Sequence, residues 1–424
     1  MPTSGGWPVL QKTAAKAVPV RAIFMLGPAF VAAIAYMDPG NVAANLTSGA
    51  KFGYLLVWVL VAANLMAMMV QYQSAKLGLV TGKSLPEMLG SRLRKPARRA
   101  FWLQAELAAM ATDLAEVIGG AIALNLLFGL PLPVGGLIVG VLSMIMLTVQ
   151  NRYGQRQFES VIVFLLAIIT VGFLFGLLLS PPDPAEAVAG LLPRFDGAQS
   201  VLLAASMLGA TVMPHAIYLH SALARDRHRP AGSAAPDNGR LRKLIKANRL
   251  DVIIALLIAG TVNIGMLLLA AATLRGAEGT DSIEGAHQAI TSALGPAVGI
   301  VFGVGLLASG LASTSVGCYA GATIMSGLLS IRVPLLLRRL ISLIPAILLL
   351  SLGVDPTWAL VVSQVVLSFG IPFALIPLLR MTFSAEIMGE HRDGLPLRVL
   401  SVISAALIVL LNVALIVLTV TGAG

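Results

Sequence analysis

Apolar runs of about twenty residues, parted by short polar stretches, recur along the chain from Ala22 to Val420. A helix of about 20 residues crosses a hydrocarbon layer of roughly 30 Å, so each run is long enough to span one. The pattern predicts eleven spans, at about 23–48, 53–80, 100–129, 131–150, 157–180, 199–223, 250–274, 293–328, 333–352, 355–381 and 395–421. The predicted fold class is an all-α polytopic membrane protein. Composition agrees: 57% of the 424 residues are hydrophobic and 11% are charged, against about 25% charged in soluble chains. A soluble globular enzyme is excluded.

Charge then orients the spans. The chain carries 29 Lys and Arg against 19 Asp and Glu, a net charge of +10. With the N-terminus in the cytoplasm, 26 of the 29 basic residues fall on the inner side, leaving Lys51, Arg194 and Arg275 outside. Basic residues retained in the cytoplasm are the expected rule. The expected localisation is therefore the cell membrane (plasma or bacterial inner), multi-pass, with the C-terminus extracytoplasmic. This placement sets the basic residues beside lipid headgroups, so the expected partners include membrane lipid and no nucleic acid. A cytoplasmic tail, 1–22, with Lys12, Lys16 and Arg21 precedes a single transmembrane domain, 23–421, and no cleavable signal is apparent. The inner loop Pro230 to Gly239, rich in Ala, Gly, Ser and Pro, is expected to be flexible without marking a domain boundary. The lone cysteine, Cys318, excludes an intrachain disulfide.

Two spans contain helix-breaking residues at their centres. Span 1 carries Met37-Asp38-Pro39-Gly40-Asn41, and span 6 carries Gly209-Ala210-Thr211-Val212-Met213-Pro214-His215. Proline lacks a backbone donor, and glycine costs helix stability. Such irregular backbone is tolerated at bilayer depth only where it faces protein or a wet cavity. Spans 1 and 6 head two possible five-helix halves, at about 23–180 and 199–381, with 395–421 as an extra helix. Interrupted helices in corresponding positions point to an inverted-repeat transporter with its site at the midplane.

The breaks offer a mixed ligand set. Asp38 brings an anionic oxygen, Asn41 an amide oxygen, Met213 a thioether, and the unwound turns bring carbonyls such as those of Ala35 and Ala210. Oxygen alone suits Mg²⁺ or Ca²⁺, whereas a thioether favours softer transition ions. The mixture points to Mn²⁺ or Fe²⁺, although most of the 16 methionines must simply pack.

Asp38-Pro39-Gly40-Asn41 together with Met213-Pro214-His215 resembles the paired signature of the Nramp family, the natural resistance-associated macrophage proteins. The similarity extends through Ala35-Tyr36-Met37, Ile217-Tyr218-Leu219-His220-Ser221, and Gln104-Ala105-Glu106 to Asp113-Leu114-Ala115-Glu116. It implies a leucine-transporter-like fold and proton-linked import of divalent metal, with metal and proton as the partners. Asp38, Asn41 and Met213 match the family's metal-ligand positions, the Ala210 carbonyl is a further ligand, and Gln364 in span 10 matches a position that approaches the metal. His215, Asp113 and Glu116 match positions tied to proton passage or coupling.

Span 3 draws notice without the family. Glu106, Asp113 and Glu116 lie in an otherwise apolar helix. At about 100° per residue the first two nearly eclipse and the third sits roughly 80° away, forming one polar stripe. Intramembrane acids mark ion or proton pathways, here from Asp38 or His215 to the stripe and inward; the alternative for Glu106, Asp113 and Glu116 is a buried pair with an inner-side arginine or a hydrogen bond to a neighbouring helix. His220 serves either proton traffic or hydrogen bonding within span 6. Asn64, Gln71 and Asn263 are expected to bond between helices, and the Gly299/Gly303 and Gly317/Gly321 pairs in span 8 to pack internally. His287 is expected to be solvated in an outer loop.

The expected function is proton-coupled import of Mn²⁺ or Fe²⁺, the metal being transported substrate rather than a cofactor. Alternatives of the same architecture are a carrier of Mg²⁺ or of Na⁺-coupled amino acid, or a metal channel. A metalloenzyme is disfavoured, since no His-Glu-x-x-His sequence occurs. Nothing calls for a prosthetic cofactor or an obligate protein partner.

Overall fold

The computed structural model describes residues 27–153, 155–228, 236–276, 279–280, 282–331 and 333–421. The expected tail, 1–22, and most of the Pro230–Gly239 loop lie outside these. Every expected span is helical. Span 1 is split into α1 (Pro28–Ala35) and α2 (Pro39–Phe52), and span 2 is α3 (Val57–Thr81). The short α4 (Leu85–Arg92) leads to α5 (Lys95–Phe128), α6 (Leu132–Tyr153) and α7 (Gln155–Leu179), which are spans 3 to 5. After the short α8 (Pro184–Ala189), span 6 is split into α9 (Gly197–Thr211) and α10 (Pro214–His228). Spans 7 and 8 are α11 (Asn238–Thr273) and α13 (Pro296–Leu329), joined through α12 (Ile283–Leu294). Spans 9 to 11 are α14 (Leu335–Ser351), α15 (Pro356–Phe383) and α17 (Leu395–Thr421), with the four-residue α16 (Ala385–Met388) before the last.

Among the described residues, eight helical stretches are long and apolar enough to cross a membrane by themselves. The other three expected spans fall short for visible reasons. The halves of span 1 have 8 and 14 residues, α14 has 17, and the apolar part of α6 is Leu132–Thr148. This is a multi-pass membrane protein.

Local chemistry explains the helix starts. The break prolines, Pro39 and Pro214, are each the first residue of the second half-helix, where a missing N–H costs nothing and the fixed φ suits a helix. Three of the four short helices, α4, α8 and α12, begin at a side-chain cap, which the hydrophobic pattern does not show. A capping box of Ser84 and Glu87 starts α4, and Asp183 accepts from two backbone N–H groups at the start of α8. Asp251 on α11 caps α1 from a distance, accepting from Gly27 N at 3.1 Å and Ala29 N at 3.0 Å.

In lipid, association rests on close packing and interhelical hydrogen bonds. Gly172 of α7 and Gly305 of α13 meet backbone to backbone, so a methyl on either would press on the other's Cα. The paired glycines of α13 pack internally: Gly303 against Leu127, Gly317 against Glu116 and Asp113, and Gly321 against the Arg338 guanidinium. Pro372 and Pro377 inside α15 deprive the Ser368 and Phe373 carbonyls of helical donors; Asn412 Nδ2 (2.9 Å) and the Tyr218 hydroxyl (3.2 Å) bond them instead.

The charge assignment needs one correction. Lys76, Arg338 and Arg339, counted above among residues facing lipid heads, are buried. Lys76 pairs with buried Asp393, which also accepts from Gln73 Nε2 at 2.8 Å. Arg338 and Arg339 lie within α14 and turn to α5. A buried cation needs a partner, and each of these has a carboxylate in reach.

Candidate metal and proton site

The two breaks unwind Tyr36, Met37 and Asp38 in span 1 and Val212 and Met213 in span 6. Asp38 is the N-cap of α2 and accepts from Asn41 N at 2.9 Å. Its other oxygen accepts from Gln364 Nε2 at 2.9 Å. Asn41 Nδ2 donates to the Tyr36 carbonyl and, across the breaks at 3.3 Å, to the Ala210 carbonyl. Asp38, Asn41, Ala210, Met213 and Gln364 are all shut from solvent.

Fit is tight where α15 meets α2. A side chain at Gly40 would collide with the Gln364 amide, and one at Gly209 would collide with the Gln364 carbonyl. These glycines let Gln364 lie between the two breaks and reach Asp38. Gln364 Oε1 is buried and has no hydrogen-bond donor among the described residues. Among the described residues no cationic side chain forms an ion pair with Asp38. Its partners are amides. No group of three or more His, Cys, Asp or Glu side chains is gathered there among the described residues, so the chemistry on offer is carboxylate, amide, thioether and carbonyl.

The remaining expected residues fall into separate places. Ala35 is the last residue of α1, and the neighbouring Tyr36 carbonyl is the one that Asn41 engages. Asn263 Nδ2 donates to the same carbonyl at 2.7 Å, and Ser309 Oγ donates to that of Met37. His215 stands on the first turn of α10; its Nδ1 lies 3.3 Å from Thr112 Oγ1, and its Nε2 has no hydrogen-bond partner among the described residues. Thr112 precedes Asp113, so this contact joins the broken helix to the acidic stripe.

The stripe faces α13 and α14. Glu106 pairs with Arg338 at 2.6 Å, the arginine partnership weighed above. Asp113 lies 3.7 Å from Arg339, whose Nε donates to Ser143 at 2.7 Å. Glu116 packs with Asp113 against Gly317. His220 takes no part in this group: its Nδ1 lies 2.8 Å from Gln71 Oε1, and Gln71 Nε2 donates to the Tyr36 hydroxyl. Gln71 and Asn263 do bond between helices, as expected.

Sequence reasoning missed Tyr36, Thr112 and Ser309 as parts of this site, and it weighed arginine pairing for the stripe without naming Arg338 and Arg339. The arginines left one signal, two cations inside a run predicted to span 333–352. His287 also differs from expectation. It is half-buried, with Nε2 3.0 Å from the Gly299 carbonyl and its ring against Phe302, because α12 folds back onto α13.

Two facing helix breaks around a buried carboxylate, in a polytopic bundle, are the arrangement found in membrane transporters built on interrupted helices. The chain belongs to the Nramp family: residues 29–418 match the family of natural resistance-associated macrophage protein-like proteins. It is 59% identical over 400 residues to the divalent metal cation transporter MntH of Mycobacterium tuberculosis, covering 94% of this chain and 92% of that one. It is 46% identical over 394 residues to MntH of Bacillus subtilis, covering 92% and 91%. Its fold is similar to that of the Eremococcus coleocola manganese transporter, with a TM-score of 0.82, 32% identity and coverage of 92% and 85%. The more distant MhsT, at TM-score 0.61 and 14% identity, shares the fold alone. The all-helical, leucine-transporter-like fold class expected from the sequence is the one found.

The close fit at Gly40 yields a test. Gly40→Ala should destabilise the protein by about 1–3 kcal/mol, the usual cost of overpacking. Adding Gln364→Ala should recover most of that loss, as read by thermal unfolding in detergent. No recovery in the double variant would show that Gln364 is not what Gly40 accommodates.

Proposed function

We propose that this protein imports a divalent transition metal, Mn²⁺ or Fe²⁺, together with protons across the cell membrane by alternating access. Residues 23–421 act in this reading as one transport domain, with the N-terminus cytoplasmic and the C-terminus outside. The observation that carries the reading is the Asp38 carboxylate, buried between two helix breaks and held, among the described residues, by neutral donors. An unpaired charge at bilayer depth is costly, and a cation bound between the breaks removes that cost. The names of its relatives, divalent metal cation transporters and a manganese transporter, support a metal cargo.

Each residue then has a role. Asp38 supplies the anionic oxygen. Asn41 supplies an amide oxygen, Gln364 supplies its free Oε1, and the Ala210 carbonyl, with that of Ala35, completes the oxygen set. Met213 supplies the thioether that favours softer ions over Ca²⁺ and Mg²⁺. Metal entry would exchange the Asn41 and Gln364 amide contacts for metal–oxygen bonds, so the half-helices and α15 would adjust together. Protons would leave Asp38 or His215 through Thr112 for Asp113 and Glu116, and continue past Glu106 and the arginines of α14. His220, joined to Gln71, would support α10 beside this route.

Two outcomes are expected in proteoliposomes that hold a pH reporter. Mn²⁺ added outside should enter with acidification of the interior, and Asp113→Asn should lower the acidification per Mn²⁺ several-fold. An unchanged ratio would remove the acidic stripe from coupling. In the same vesicles Met213→Ala should let Ca²⁺ compete with Mn²⁺ about tenfold better, a change of 1.4 kcal/mol. Unaltered exclusion of Ca²⁺ would refute the role given to the thioether.

A further inference from the structure

Two grooves on the outer surface of the bundle meet at two side chains. The first, of about 610 Å³, lies between α15 and α17 and runs from Phe383 along Val402 to Val413. The second, of about 690 Å³, lies on the other flank of α15, against Phe101, Leu93 and Phe373. They share two residues, Ile376 and Arg380. Ile376 and Phe373 form an exposed ridge between them, and Arg380 stands at its head, one turn from the end of α15.

Both grooves are apolar along their length and basic at one end only. From Val402 to Val413 is about 16 Å of helix at 1.5 Å per residue, half of a hydrocarbon layer of roughly 30 Å. The first groove therefore has the depth of one leaflet. At the rim Arg380 is joined by Arg92, the last residue of α4, which lines the second groove. Arg398 lies with its guanidinium 5.6 Å from the centre of the Phe383 ring, which lines the first. Arg92 and Arg380 are exposed, and neither forms an ion pair with a carboxylate among the described residues. Other arginines at this end of the bundle, Arg225 and Arg242, do have acidic partners.

We propose that this surface is a binding site for one anionic diacyl phospholipid, its two chains straddling the Ile376 ridge and its phosphate held by Arg380 and Arg92. Guanidinium groups bind phosphate oxygens in paired, charge-assisted hydrogen bonds. Two grooves that converge on one cation fit two chains that converge on one phosphate. The absence of acidic partners leaves both positive charges for the headgroup, which favours an anionic lipid over a zwitterionic one. The site lies on the helix that carries Gln364, on its lipid-facing side.

Native mass spectrometry of the detergent-purified full chain, titrated with dioleoylphosphatidylglycerol or dioleoylphosphatidylcholine, tests this. The anionic lipid should bind more tightly. Arg380→Gln should weaken its binding about five-fold and the Arg92→Gln/Arg380→Gln pair about twenty-five-fold, from the usual effect of a basic residue at an anionic surface. Arg380→Lys, which keeps the charge and loses the paired hydrogen bonds, should bind more weakly than the parent and more tightly than Arg380→Gln, and the single-chain lysophosphatidylglycerol should bind more weakly than the diacyl lipid. Lys243→Gln, an exposed cation elsewhere, should change nothing and controls for net charge. Equal binding of the two diacyl lipids, unchanged binding by Arg380→Gln, or an equal loss in Lys243→Gln would overturn the site. So would displacement of the lipid by millimolar inorganic phosphate, or a protein dimer appearing in place of lipid adducts.

Discussion

Breaking a helix inside a membrane strips carbonyls of their donors where water cannot replace them. Much of the middle of this protein answers that constraint. The Tyr36 carbonyl takes hydrogen bonds from Asn41 and Asn263, the Met37 carbonyl from Ser309, and the Ala210 carbonyl from Asn41. Asn41 thus ties the first break to the second, and Asn263 and Ser309 tie it to α11 and α13. The carbonyls and amides that stabilise the broken backbone surround Asp38, so the solution to a folding problem also sets the polar environment of that carboxylate.

A second polar layer lies beside the first and follows the same economy of partners. Three acids on α5 face two arginines on α14 across small residues of α13. Gly317 and Gly321 leave room for Glu116, Asp113 and the Arg338 guanidinium, so a pattern that could signal dimerisation in fact seats buried charge. Thr112 connects this layer to His215. In the proposed transport cycle the two layers handle different cations, one holding metal and the other passing protons.

Much of this was legible in the sequence because bilayer physics writes long signals. Eleven apolar runs, two central prolines and an acid triplet in an apolar helix are conspicuous in a single sequence. What stayed hidden depended on which helices touch. Nothing in the spelling of residue 309 says that its hydroxyl meets the Met37 carbonyl, and nothing near Thr112 announces His215. The prolines of the breaks read as helix destroyers, yet each begins a helix, since the first position tolerates a missing N–H. Lys76 and Arg338 read as loop charges because a cation near a span end usually reaches water; here Asp393 and Glu106 draw them inward.

The account rests on a cation bound between the breaks at Asp38. Calorimetric titration of the purified protein with Mn²⁺, comparing it with Asp38→Asn, tests that most directly. The substitution keeps the shape and the N-cap oxygen while removing the charge, so the variant should stay folded and lose Mn²⁺ binding at concentrations that saturate the parent. A folded Asp38→Asn protein that binds Mn²⁺ with the parent's affinity would contradict the account and place the metal elsewhere.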